Sequence, residues 1–207
     1  LGIGALIHNE SDANKLKEIM IKIGNSFNRE TRVMITSMDA PLGRNIGNSL
    51  EVMEAIEVLK GNIDTPFASL CIELASNLVS MGKGISLSDA EAEVIQVIKN
   101  NQAYNKFLEF VKYQHGNINS LKVSDEKIEI RSTKRGVLKG INARIVGEVS
   151  MKLGAGRVTK DDPIDPSVGI SLNKQVHDKI VEDDLLCTLY VNKVKDEFNI
   201  RDAFIIE

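Results

Sequence analysis

Val33-Met34-Ile35-Thr36, running into Ser37-Met38-Asp39-Ala40-Pro41-Leu42-Gly43-Arg44-Asn45-Ile46-Gly47-Asn48, is the segment from which a fold class follows. Its first four residues are rich in β-branched side chains and predict a short strand. The rest are turn formers. From Ser49 to Leu59 the pattern returns to helical period through Leu50, Val52, Met53, Ile56 and Leu59. Upstream, Ala13, Leu16, Ile19, Met20, Ile23 and Phe27 share one face of a helix over residues 11–27. Asn9 or Ser11 can cap it, Asp12 suits the first turn, and Gly24 weakens the last. Helix, strand, loop and helix in that order predict an α/β layer with parallel pairing.

Downstream, Asp64-Thr65-Pro66 is a helix start with proline near its first position. That helix is expected to bury Phe67, Leu70, Cys71, Leu74, Leu78 and Met81, and to end at Gly82 and Gly84. Ser88-Asp89-Ala90-Glu91 has capping-box spacing ahead of Val94, Ile95 and Ile98. Tyr104, Phe107, Leu108 and Val111 mark another helix. The texture changes near Gly116-Asn117. Period-two alternation at Lys127–Arg131 and around Gly136-Val137-Leu138 predicts half-exposed strands, as do the runs 168–172, 185–191 and 203–206. A helix over 142–153 turns Ala143, Val146, Val149 and Leu153 inward, and Gly154-Ala155-Gly156 breaks it. The expected organisation is a helix-rich α/β part, residues 1–115, followed by a small β-rich α+β module, residues 116–207.

The chain has 207 residues, 26 Lys+Arg against 29 Asp+Glu, and a net charge of −3, so it carries no whole-protein positive field for nucleic acid or anionic lipid. Aromatics are 4% and Trp is absent, which argues against a stacking platform for single strands. No apolar run approaches a membrane-spanning length. Cys71 and Cys187 lie in no metal or redox spacing and fit reduced thiols in a cytosol. Leu1-Gly2-Ile3-Gly4-Ala5-Leu6-Ile7 lacks the basic region and cleavage site of a signal peptide and reads as a buried strand end entering a glycine turn. The expectation is a piece of a longer protein.

Chemistry concentrates in the loop 41–48 with Glu51 and Glu54 one helical turn apart on the following helix. Loops between strand and helix are where α/β sheets place ligands, and backbone carbonyls with a carboxylate suit a hard cation. By residue type alone, a plain loop with two solvated glutamates is the favoured reading. Gly154-Ala155-Gly156-Arg157 is either an anion-binding nest or, as favoured, a helix end. Asp161, Asp162 and Asp165, broken by Pro163 and Pro166, read as a solvated acidic turn. His8, His115 and His177 have no neighbour at ligand spacing.

Three segments nevertheless resemble one family. Residues 36–52 (Thr36-Ser37-Met38-Asp39-Ala40-Pro41-Leu42-Gly43 onward) with Glu54-Ala55-Ile56 resemble T-D-M-(N/S)-Q-P-L-G-x-A-V-G-N-A-L-E-V-x-E-A-I of the pyrimidine-nucleoside phosphorylases, which include thymidine phosphorylase. Leu153-Gly154-Ala155-Gly156-Arg157-Val158-Thr159-Lys160 through Ile164-Asp165-Pro166-Ser167-Val168-Gly169-Ile170 resembles L-G-A-G-R-x-T-K-E-D-x-I-D-P-A-V-G-I. Gly2–Ile7 resembles G-S-G-A-F-M.

The resemblance implies a pentosyltransferase that converts a pyrimidine nucleoside and phosphate to free base and pentose 1-phosphate. It implies the C-terminal part of the central α/β phosphorylase domain, then an α/β hammerhead domain. The family's phosphate loop and its base-holding Arg, Ser and Lys lie upstream of these residues, so no catalytic residue is expected here. Leu6 stands where the family has an apolar residue beside the base. The Leu42 and Asn45 carbonyls with the Glu54 carboxylate match ligands of a monovalent cation, potassium. A cytoplasmic homodimer without nucleic-acid or membrane partners is also implied. Leu6-Ile7 for Phe-Met, Ala40 for Gln and Asn45 for Ala depart from the pattern. A non-catalytic interaction module and an AMP phosphorylase are the rival readings.

Overall fold

The computed structural model describes residues 1–192 and 199–207, which divide into two compact units. The first gathers residues 1–8, 36–54 and 121–207; the second holds 9–35 and 55–120. The units therefore interleave along the chain, whereas the sequence texture suggests one cut near residue 115.

In the first unit every strand pair is antiparallel. A four-stranded sheet has the order β1-β4-β6-β2, from Asn45–Ile46 (β1), Gly169–Leu172 (β4), Leu185–Tyr190 (β6) and Lys127–Arg131 (β2). A three-stranded sheet has the order β5-β3-β7, from Lys179–Ile180 (β5), Gly136–Ile141 (β3) and Phe204–Ile206 (β7). The helix α6 (Ala143–Ser150) belongs to this unit and is capped by the Asn142 side chain, which accepts from the Arg144 and Ile145 amides. Val146 and Val149 of α6 join Ile130, Leu138, Ile141, Ile170, Leu186, Leu189 and Phe204 in one core. The period-two patterns thus put their apolar faces on that core. β5 lies inside the polar run 174–184 and has too few residues to show a period.

The parallel α/β layer expected around Val33–Thr36 is not found among the described residues, and that run forms no strand. A strand is a property of a ladder, and β-branched residues only favour it. Here the Leu1 ammonium donates to Thr36 O (2.6 Å), Met38 N–H to Leu1 O (2.7 Å) and Gly4 N–H to Met38 O (3.0 Å). That is enough to align two extended segments at one end and no more.

The second unit is helical: α1 (Glu10–Ser26), the later part of α2 (Asn48–Leu59), α3 (Pro66–Lys83), α4 (Leu87–Lys99) and α5 (Gln102–Tyr113). Asn9 caps α1 and Thr65 caps α3, with Pro66 in its first turn. The cap of α4 is Ser86, which accepts from Asp89 N–H, two residues before the Ser88 spacing suggests. Ile56, Val58, Ala68, Ala90, Val94 and Ile98 are buried in this unit. The apolar face of α1 is not inward: Ala13 is buried, while Leu16, Ile19, Met20, Ile23 and Phe27 are exposed. Leu74 and Leu78 of α3 are exposed too. No helix among the described residues is long and apolar enough to cross a membrane.

Candidate functional site

The loop before α2 is built around Glu54. Its two carboxylate oxygens accept separately from the Arg44 amide (2.8 Å) and the Asn45 amide (3.0 Å). Glu51, one turn earlier, accepts from the Gly47 amide at 2.9 Å. Glu54 is half-buried and Glu51 exposed, and both fasten the loop to the helix that follows it. Two glycines stand close to their surroundings, and at the second a Cβ would meet backbone. A Cβ on Gly43 would stand 2.5 Å from Glu54 Oε2. Gly47 has φ +129°, and a Cβ there would stand 2.6 Å from Val168 O.

The far side of the loop meets the second family-like segment. Asn45 and Ile46 pair with Ser171 and Ile170, Ser49 N–H donates to Pro166 O (3.1 Å), and Asn48 Nδ2 donates to Ala155 O (2.9 Å). Gly154-Ala155-Gly156 is the end of the α6 path: Gly154 takes φ +107° and its carbonyl accepts from Asp165 N–H at 2.9 Å. The helix-end reading holds, because it is the carbonyls of this turn that are engaged. The acidic turn is likewise internal. Asp162 accepts from the Val158 and Thr159 amides and the Thr159 hydroxyl. Asp165 accepts from the Ser167 hydroxyl and amide and from Asn192. These bonds, led by the Thr159 amide for Asp162 and the Ser167 hydroxyl for Asp165, hold both carboxyls below the usual range. No group of three His, Cys, Asp or Glu side chains is disposed around a metal among the described residues. Cys187 is buried, and burial pushes its thiol up to about 12; Cys71 and Cys187 are both unpaired thiols.

Asn45 and Glu54 are brought together directly. Leu42 lies half-buried in the same loop, and its side chain has no polar atom to contribute. Ala40, where the family pattern has Gln, packs against the core. Leu6 sits on a separate turn, closed by Gly2 N–H to Ile7 O (3.0 Å) and Ala5 N–H to Gly2 O (3.1 Å), with its side chain 96% exposed. Sequence reading missed Asp39, which reaches this turn: Ile3 N–H donates to Asp39 Oδ1 at 3.0 Å and the Ser37 hydroxyl to Oδ2 at 2.9 Å. The bond from Ile3 is the larger cause holding the Asp39 carboxyl below its usual range. Chemically, the loop offers oxygen donors alone. Each Glu54 oxygen keeps a lone pair beyond its amide bond, which fits a hard cation and not a transition metal.

Residues 137–204 match the family model described as Pyrimidine nucleoside phosphorylase C-terminal domain. The pyrimidine-nucleoside phosphorylase of Bacillus subtilis (strain 168) is 40% identical over 199 residues, covering 93% of this chain and 46% of that protein. That of Staphylococcus aureus (strain USA300) is 38% identical over 199 residues, with the same coverage of 93% and 46%. The chain spans about half the length of these relatives. With similarity along nearly its whole length and the C-terminal domain match inside it, the chain resembles the C-terminal part of the pyrimidine-nucleoside phosphorylases.

Proposed function

We propose that the chain is the C-terminal portion of an enzyme that transfers the pentose of a pyrimidine nucleoside to phosphate. A phosphate oxygen bonds to the anomeric carbon as the carbon–nitrogen bond breaks, and the base leaves with the electron pair. The observation that carries this reading is the meeting of two family-like segments 107 residues apart through Asn48 and Ala155, supported by β1 pairing with β4. The loop is thereby held in one shape from both sides. No residue described here is assigned the chemical step, which needs a positioned phosphate and donors for the departing base. Leu6 supplies an apolar wall to the base. Such a wall alone discriminates by about 1–3 kcal/mol, so polar groups outside this chain set most of the preference for pyrimidines.

In this reading residues 1–115 complete a central α/β domain and 116–207 are the hammerhead domain of a cytoplasmic homodimer. The Leu42 and Asn45 carbonyls and the Glu54 carboxylate hold a potassium ion, whose positive charge steadies the loop. One carboxylate gives too little charge to favour a divalent ion. The test is phosphate-dependent release of base from uridine, thymidine, inosine and AMP by the full-length gene product. Faster turnover of uridine or thymidine supports the reading. Preference for AMP, or no release at all, sinks it in favour of an AMP phosphorylase or a binding module.

A further inference from the structure

We infer that Asp39 is a positioning residue that fixes the Gly2–Ile7 turn and so sets where Leu6 stands against the pyrimidine; this rests on the function proposed above. Leu6 is 96% exposed, so no packing holds its side chain, and its place depends on the backbone of the turn. That backbone is tied to the rest of its unit by Gly4 N–H to Met38 O (3.0 Å), Met38 N–H to Leu1 O (2.7 Å) and Ile3 N–H to Asp39 Oδ1 (3.0 Å). The first two are main-chain bonds. The third runs through a side chain and can be removed by substitution.

Asp39 is itself held on two sides. Its Oδ2 accepts from the Ser37 hydroxyl (2.9 Å), and its backbone carbonyl accepts from Ala143 N–H (3.2 Å) at the start of α6. The turn is shaped to the carboxylate: Gly2 has φ +124°, and a Cβ there would lie 2.6 Å from Asp39 Oδ1. His8 Nδ1 lies 3.2 Å from Gly2 O and braces the turn from within. The carboxylate thus links the sheet-and-helix body to the exposed leucine through one amide.

The test combines amide exchange at Ile3, read by hydrogen-exchange mass spectrometry on peptides spanning the turn, with uridine kinetics, both on the full-length gene product, for wild type, Asp39→Ala and Asp39→Asn. Loss of a charge-assisted bond is expected to speed Ile3 exchange about tenfold in Asp39→Ala, and Asn, which keeps an acceptor oxygen, is expected to restore most of the protection. An apolar wall that touches the base equally in ground and transition states supplies uniform binding, so KM for uridine should rise about fivefold while kcat stays within about twofold. Unchanged Ile3 exchange overturns the inference. So does faster exchange with unchanged KM, or an Asn variant as impaired as Ala. Faster exchange with a wild-type enzyme that releases no base from uridine or thymidine contradicts the proposed function, and the role toward the base falls with it.

Discussion

Glu54 binds one amide with each carboxylate oxygen, so Glu54→Gln separates charge from shape. The amide keeps one acceptor and turns a donor toward the second N–H. Stability should fall by about 1–2 kcal/mol, as for loss of one hydrogen bond to a charged group, read as a lower urea midpoint. In the full-length product the potassium needed for half-maximal activation should rise; an unchanged potassium curve would remove Glu54 from the cation site. Asp165 gives a pH signature. Its bonds from Ser167 and Asn192 lower its folded-state pKa, so its stabilisation is present above the unfolded value of about 3.9 and is lost as pH falls through the lowered one. Unfolding measured from pH 7 to 2.5 should show this acid limb, and Asp165→Asn should flatten it. The nearness of Glu54 to its loop was legible in sequence because it follows at short range, although by residue type alone it read as a solvated charge. The Asp39 contact was not, because its partner Ile3 comes from a turn brought in across 36 positions.

Helices were legible where period was clear, as over 142–153 for α6, and most sharply where a cap agreed with it, as at Thr65-Pro66 for α3. Apart from β5, the strands of the second half were legible because each buries one face on a shared core. Val33–Thr36 misled because composition reports propensity and not the presence of a ladder partner. β1 was hidden because Asn45 and Ile46 are turn-context residues made strand-like only by their pairing with Ser171 and Ile170. Glycines separate these elements experimentally. Gly147 lies inside α6 with nothing within 4 Å of an added Cβ, so Gly147→Ala should stabilise by about 0.5–1 kcal/mol through helix propensity. Gly47→Ala forces both a positive φ and a backbone clash with Val168 O, and should destabilise by about 1–3 kcal/mol. Thermal midpoints should move in opposite directions; movement in the same direction would contradict this placement of the two glycines.

At the scale of the molecule, the two units do not follow the single break in sequence texture, because residues 1–8 and 36–54 join residues 121–207 in one unit. Period and composition are local, and they carry no record of which distant segment completes a core. The family resemblance was legible in the ordered motifs, and the similarity spans 93% of this chain but 46% of the Bacillus subtilis relative. The 207-residue chain by itself should therefore release no base from uridine or thymidine with phosphate present. The direct measurement is the phosphorolysis assay on the full-length gene product beside this chain. Saturable, phosphate-dependent release of base from pyrimidine nucleosides by the full-length product, and none by the 207-residue chain, is the expected result. Release by the shorter chain alone, or a higher kcat/KM for inosine or AMP than for uridine, would contradict it.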